Sequence, residues 1–339
     1  MNKRLAIFSV ILIGVLVAAW LLLPLWDRHE NDESATHSDP PEKLVIAAYK
    51  GDFSALIWIA DTQNYFKHNG LDVRIEEYDS GITPVQNVIE GKADIATSGE
   101  FVAVNNLFHH NDLTILSTIA LGDAIELVSK LDAGIKTPSD LKGKRIGLKM
   151  GSQAEYELNH FLLKNKLSID DVQTIDINPL QMEEAILTGD IDAVVVWNPF
   201  AFQINGVLGE NAVSWDVQDF PFFFLTIAKQ EMLQARPSVV KKFLASMNEA
   251  ASFVRNHNNE ARRIVRDRLG YEDSYSQKSW NTLDFKFGLS QTLLLAMESE
   301  ARWLLRTKNM THVHVPNYME HFAITPLKAI NPAAVELIH

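Results

Sequence analysis

Three features of this chain predict an α/β fold in two similar lobes. Strands and helices alternate from Leu44 to Ala228, and a helix–Gly–strand segment recurs farther along the chain. The length of 339 residues is enough for two compact lobes.

The alternation is read from the chain in order. Leu44–Ala48 (LVIAA) is a short apolar run of strand type. Ser54–His68 has helical periodicity and stops at Asn69-Gly70. Leu71–Tyr78 is a strand, and Thr83-Pro84 offers an N-cap and first-turn pair for a helix that ends at Gly91. Asp94–Thr97 is a short strand, Glu100–His109 a helix, and Thr114–Leu121 and Ala124–Leu131 are strands. Pro138–Leu141 is one helical turn, followed by strand Arg145–Met150, helix Gln153–Asn165, strand Val172–Ile177, helix Leu180–Thr188 and strand Ala193–Trp197. Phe222–Ala228 (FFFLTIA) is the last long apolar strand, and Ser238–Ile338 is mostly helical. Such alternation implies mostly parallel sheets covered by helices.

The repeat supports two lobes. Val88-Ile89-Glu90-Gly91-Lys92-Ala93-Asp94-Ile95 is echoed by Ile186-Leu187-Thr188-Gly189-Asp190-Ile191-Asp192-Ala193. Each copy reads as helix end, Gly stop, one turn, Asp, then strand. The separation of roughly a hundred residues is too long for a solenoid repeat.

The N-terminus predicts export. Met1-Asn2-Lys3-Arg4 is basic, and Leu5–Trp26 carries no charge. As a helix that run would span about 33 Å, against a hydrocarbon core of about 30 Å. With the basic end cytoplasmic, the chain after Trp26 lies outside. Cleavage after Ala19 is the alternative, and it leaves the apolar WLLLPLW exposed to water. The chain is therefore expected at the outer, periplasmic face of the cytoplasmic membrane if the segment stays, or free in the periplasm if it is cut. Asp27–Glu42 is polar and ends in Pro40-Pro41, as a flexible tether does.

The formal net charge of −12 disfavours nucleic acid and anionic membrane surfaces. No cysteine is present, which excludes disulfides, thiolate metal sites, Cys nucleophiles and a lipid-bearing cysteine. His312 and His314 have no third ligand nearby in sequence, so no metal is expected. There is no phosphate-binding loop, nucleophile elbow or H-E-x-x-H, so no catalytic residue and no cofactor are expected.

The order of motifs resembles a known family. Tyr65-Phe66-Lys67-His68-Asn69-Gly70-Leu71-Asp72-Val73 resembles the YF-x-x-x-GLDV element of nitrate/sulfonate/taurine-type substrate-binding proteins of ABC transporters, a family that includes thiamine-pyrimidine binders. Gly91-Lys92-Ala93-Asp94-Ile95-Ala96 resembles its G-x-ADIA element. Gly134-Ile135 through Asp140-Leu141-Lys142-Gly143-Lys144-Arg145-Ile146-Gly147 resembles GI-x-x-x-x-DLKGKRIG. Gly189-Asp190-Ile191-Asp192-Ala193 and Trp197-Asn198-Pro199 resemble G-x-VDA and W-x-P. The resemblance covers residues 44–230 well and the C-terminal part loosely. It implies a type II periplasmic-binding fold, in which two α/β lobes joined by two crossing segments close over a ligand. The crossings are placed near Asp123–Leu131 and Phe222–Ala228. The resulting parts are anchor 1–26, tether 27–43, first lobe 44–123, second lobe with crossings 124–228, and a helical part 229–339 that returns to the first lobe. The enzymes resembling this family carry a cysteine-rich motif, which this chain lacks.

In open α/β sheets ligands sit at strand carboxyl ends, against helix N-termini. Tyr49, Asp52, Phe53, Ser54, Ser80, Thr83, Ser98, Glu100, Ser152, Gln153, Trp197 and Asn198 occupy such turns, with Asp123 and Glu126 at the crossing. Ser80, Thr83, Ser98 and Ser152 are equally suited to plain N-capping. Tyr49, Phe53 and Trp197 could sandwich a flat ligand, whereas Phe222 lies in a continuous apolar run and is read as core. Asp52, Glu100, Asp123 and Glu126 would repel an oxyanion and suit an amine, with Glu100 the first choice of contact. The expected role is a monomeric binding protein that passes a small organic molecule to an ABC permease. The ligand is expected to contain an amine or a heteroaromatic ring, with sulfonate or nitrate second. A membrane-tethered sensor subunit is the alternative.

Overall fold

The computed structural model describes residues 40–308, 310 and 313–338. The predicted anchor Leu5–Trp26, most of the tether and His312 lie outside them. Among the described residues no helix is long and apolar enough to cross a membrane, and no group of three or more His, Asp or Glu could hold a metal.

The chain makes three passes. The first lays down strand β1 (Glu42–Tyr49), helices α1 (Ala55–Thr62) and α2 (Tyr65–His68), strand β2 (Leu71–Tyr78), helix α3 (Ile82–Ile89), strand β3 (Ile95–Gly99), helix α4 (Glu100–Leu107) and strand β4 (Leu113–Gly122). The predicted helix Ser54–His68 is broken in two at Asn64, whose φ of 59° is left-handed, a conformation Asn tolerates better than most residues.

The second pass forms β5 (Ile125–Lys130), β6 (Arg145–Leu148), α5 (Gln153–Lys164), β7 (Gln173–Asp176), α6 (Pro179–Thr188), β8 (Ala193–Trp197), α7 (Phe200–Leu208) and β9 (Ala212–Asp216). The third forms β10 (Phe222–Lys229), α8 (Gln230–Ala235), α9 (Pro237–Asn256), α10 (Asn258–Leu269), α11 (Asp273–Trp280), β11 (Leu283–Asp284), β12 (Leu289–Ser290), α12 (Gln291–Thr307), α13 (Ile324–Ile330) and β13 (Val335–Glu336).

Two main sheets result. The first has strand order β11-β4-β10-β3-β1-β2 and the second β7-β6-β8-β5-β9, with a small β12-β13 pair beside them. The expected mostly parallel sheets are in fact mixed. β10 runs antiparallel to both β3 and β4, and β5 runs antiparallel to both β8 and β9. The reason is topological: β5 and β10 are the strands laid down just after the chain changes sheets, so each enters against the direction of its neighbours. The changes of sheet occur at residues 123–124 and 217–221. Phe222–Lys229 therefore lies wholly inside the first sheet and is not itself the crossing expected from sequence.

The central strands explain their composition. β3, β8 and nearly all of β10 are buried along their length, as strands covered on both faces must be. The sequence echo marks one structural device used twice. Gly91 and Gly189 take left-handed φ values of 72° and 81°, which glycine reaches without strain. After each turn an aspartate clamps the neighbouring strand: Asp94 accepts the Val45 amide at 2.8 Å, and Asp192 accepts the Arg145 amide at 2.8 Å. Each also donates its own amide back to the same residue.

Candidate functional site

Tyr49 ends β1, Gly99 ends β3 and Trp197 ends β8, while Gly81, Ile82, Ser152 and Gln153 sit at helix N-termini. These ends converge on a cavity of ≈ 40 Å3 between the two sheets, also walled by Phe53, Val102, Ile125, Phe222 and Phe224. Strand carboxyl ends facing helix N-termini are where open α/β sheets bind ligands.

Aromatic packing shapes one wall. Phe53 stacks on Phe222 with centroids 4.7 Å apart and meets Phe224 at 5.3 Å, and Tyr49 meets Phe224 at 5.7 Å. The Tyr49 hydroxyl donates to the Asn198 backbone oxygen at 2.9 Å and so bridges the two sheets. Burial pushes the Tyr49 phenol well above its ordinary range, which keeps it a neutral donor. The Trp197 indole nitrogen lies near that hydroxyl but makes no hydrogen bond, which leaves an orphaned donor at the site. Gln153 likewise leaves Oε1 without a partner. Among the described residues, no charged side chain lines this cavity.

Of the residues read from sequence, Tyr49, Phe53, Ser152, Gln153 and Trp197 line it. Ser152 also caps α5 through the Ala154 amide. Ser54 is one layer below, sharing a hydrogen bond with Thr97, whose hydroxyl accepts the Tyr49 amide. Ser98 is buried beneath Gly81, where a Cβ would come within 2.4 Å of its Oγ, so the turn can pack only with glycine there. Ser80 is half-buried in that turn, and Thr83 is exposed. Thr83 does not cap α3 as expected, because the helix starts two residues earlier, at Ile82 instead of Pro84, with Gly81 at the cap.

The four carboxylates do not meet at this cavity. Asp52 is buried against Tyr275, at 3.2 Å, and Ser279. Asp123 and Glu126 line a second space of ≈ 430 Å3 with Asp216, Lys278 and Asn198. Glu126 accepts from Asn205 there at 2.9 Å, and Asn198 Oδ1 accepts from the Phe202 amide on α7. Glu100 opens α4 as expected, but its carboxylate accepts the Phe223 amide at 3.0 Å and faces a third space of ≈ 760 Å3. Position at a turn is legible in sequence; the face a side chain takes is not.

Burial raises the acids of the third space. Glu100 and Glu300 are pushed well above the carboxylate range by burial, and Glu157 to about 7 by burial against a hydrogen bond from Gln153. Sequence reasoning missed the glycines and aliphatics of the cavity, and it placed Phe222 in the core. Phe222 is both, since β10 is buried along its length and ends at the cavity.

Residues 53–261, more than half of the chain, match the family described as NMT1/THI5 like. The chain belongs to this family. Among curated relatives of this NMT1/THI5-like protein, one from Brucella abortus (strain 2308), named only as a binding protein, is 27% identical over 214 residues, covering 61% of this chain. That match spans 65% of the relative's own length, a little under two thirds. A Bacillus subtilis (strain 168) protein named for binding aliphatic sulfonates is 24% identical over 271 residues, 78% of each chain. Among solved structures, the alkanesulfonate-binding protein SsuA from Xanthomonas axonopodis pv. citri bound to MOPS superimposes with a TM-score of 0.69, at 17% identity, over 84% of this chain and 98% of that one. This likeness shows the fold, an α/β fold of periplasmic-binding-protein type with mixed sheets.

Proposed function

We propose that this NMT1/THI5-like protein is an extracytoplasmic solute-binding protein, which takes up a small organic molecule between its two sheets and delivers it to an ABC permease. The observation that carries this reading is the uncharged, aromatic-walled cavity between the two sheets, bridged by Tyr49 and Asn198. The relatives named as binding proteins support the same reading.

The cavity chemistry refines the ligand. With no carboxylate on its wall, the amine half of the sequence expectation loses its basis there. A flat heteroaromatic body suits the Phe53, Phe222 and Trp197 faces, and its acceptor atoms suit the helix N-termini and the orphaned Trp197 N–H. A sulfonate head is the second reading, favoured by the relative named for sulfonates and by the same helix ends. At ≈ 40 Å3 the cavity holds little more than a water or two, so any such ligand enters only when the lobes part.

We further propose that Leu5–Trp26 tethers the protein to the membrane, which raises its local concentration near a permease. A native mass spectrum of the purified protein with its retained ligand tests the function, followed by calorimetry with that compound, with taurine and with simple pyrimidines. Absence of any retained ligand and of heat from all probes would overturn the reading. An N-terminal sequence starting at Trp20 would overturn the tether.

A further inference from the structure

Beside the small cavity, and sharing Gln153 and Phe222 with it, lies the chamber of ≈ 760 Å3. Three buried carboxylates face it: Glu100 from α4, Glu157 from α5 and Glu300 from α12. Gln153 Nε2 donates to Glu157 Oε1 and to Glu300 Oε1, each at 3.1 Å. That fixes the amide, whose Oε1 is buried without a donor. Glu300 is 2% exposed, and its Oε2 also has no partner.

Among the described residues no Lys or Arg pairs with these three carboxylates. Lys308 pairs with Glu155 at 2.7 Å, and Lys164 pairs with Asp219. His160, on α5, faces the chamber as a neutral ring, since burial lowers its titration. Asp219, on the crossing stretch, also lines the wall, its charge already answered by Lys164. The rest of the wall mixes aromatic faces, from Tyr156, Phe222 and Phe223, with aliphatic and hydroxyl groups such as Leu121, Ala296 and Ser299, and Phe220, 82% exposed, stands at the rim. Buried acceptors without donors, set among ring faces, match the demands of a positively charged organic group.

We propose that this chamber is a second binding site, for an organic cation such as an ammonium group on an apolar body, held by Glu100, Glu157 and Glu300. The site is distinct from the small cavity, although the two share Gln153 and Phe222. Glu100 and Glu157 stand on elements from different passes of the chain, so a bound cation also ties the two lobes together.

Calorimetry with benzyltrimethylammonium as the probe tests this, with benzenesulfonate as the anionic control. The cation is expected to bind and the sulfonate to give no signal from this chamber. Glu300→Gln is expected to weaken the cation at least about tenfold, and Ala296→Trp, which puts an indole into the chamber, to weaken it as well. Binding is expected to tighten from pH 6 to pH 8 with release of protons, because the carboxylates must ionise to hold a permanent cation. Trp197→Ala, at the small cavity, is expected to leave the cation affinity unchanged. Failure of the wild-type protein to bind the cation at millimolar concentration overturns the proposal, as does binding that neither Glu300→Gln nor Ala296→Trp weakens. Loss of binding in Trp197→Ala alone would put the cation in the small cavity; this assignment would then fail while the solute-binding reading stood.

Discussion

The Tyr49 hydroxyl and the Asn198 backbone oxygen, 2.9 Å apart, form a direct bridge between the two sheets above the cavity. Both groups are water-exposed once the lobes part, so the bond favours the closed form by its net worth, about 1 kcal/mol. Tyr49→Phe keeps the ring packing on Phe224 and removes only the bridge. The variant is expected to fold normally, to show a larger scattering radius without ligand, and to bind its ligand roughly fivefold more weakly. Unchanged radius and affinity would show that closure does not depend on this bond.

Glu157 gives the protein an unusual pH response. Its folded carboxyl titrates at about 7, above the ordinary value of 4.5, mainly through burial. The folded state therefore holds a proton that the unfolded state has released. Stability is greatest below the unfolded value and falls as pH rises through the folded one. The loss is of order 3 kcal/mol by about pH 8, with Glu100 and Glu300 acting in the same direction. Carboxylates with lowered titration, such as Asp192, are ionised in both states above about pH 5 and do not mask the trend. Urea midpoints that drop between pH 5 and pH 8, with a flatter slope in Glu157→Gln, are the expected result. A rising midpoint would contradict it.

Asp192 shows the opposite sign. Its carboxylate accepts the Arg145 amide at 2.8 Å and the Arg145 guanidinium at 2.8 and 3.2 Å, so Arg145 first, and then the backbone amide, hold its titration low. Its stabilisation is present above the unfolded value and lost as pH falls through the folded one. Asp192→Asn is expected to cost about 1–3 kcal/mol at neutral pH, and the cost is expected to shrink in acid. A chemical unfolding series at neutral and acid pH checks both.

This aspartate also shows how far the sequence reaches. The echo of Gly91–Asp94 in Gly189–Asp192 was visible, and both copies clamp a neighbouring strand. Strand positions followed because buried strands such as AVVVW are apolar on both faces. Strand direction did not follow, since nothing in FFFLTIA tells a parallel from an antiparallel neighbour. The site divided in the same way. Tyr49, Phe53 and Trp197 were found because aromatic residues at strand ends are conspicuous. Glu100 was placed at the right helix end but faces the chamber across from Glu300, because side-chain direction depends on contacts 123 and more residues away, such as the Phe223 amide. Gly81 and Gly99 carry no side chain to notice, yet they set how close a ligand could come.

Gly99 offers the sharpest test of where the ligand sits. It lines the cavity with φ −67° and ψ 152°, an extended conformation that alanine adopts freely. A Cβ there would stand 3.6 Å from the Phe222 ring and 4.0 Å from Gln153 Oε1, at ordinary contact distance. Gly99→Ala therefore strains neither the backbone nor the packing, and stability is expected to stay within about 0.5 kcal/mol of wild type. The added methyl projects into a space of only ≈ 40 Å3, so it takes room that a ligand's ring must occupy even after the lobes adjust. Retained ligand in the native mass spectrum is expected to fall sharply, and affinity by about tenfold or more, while benzyltrimethylammonium binding in the neighbouring chamber is unaffected. A Gly99→Ala protein that keeps its ligand as wild type does would mean that the ligand is seated elsewhere than between Phe53, Trp197 and Phe222.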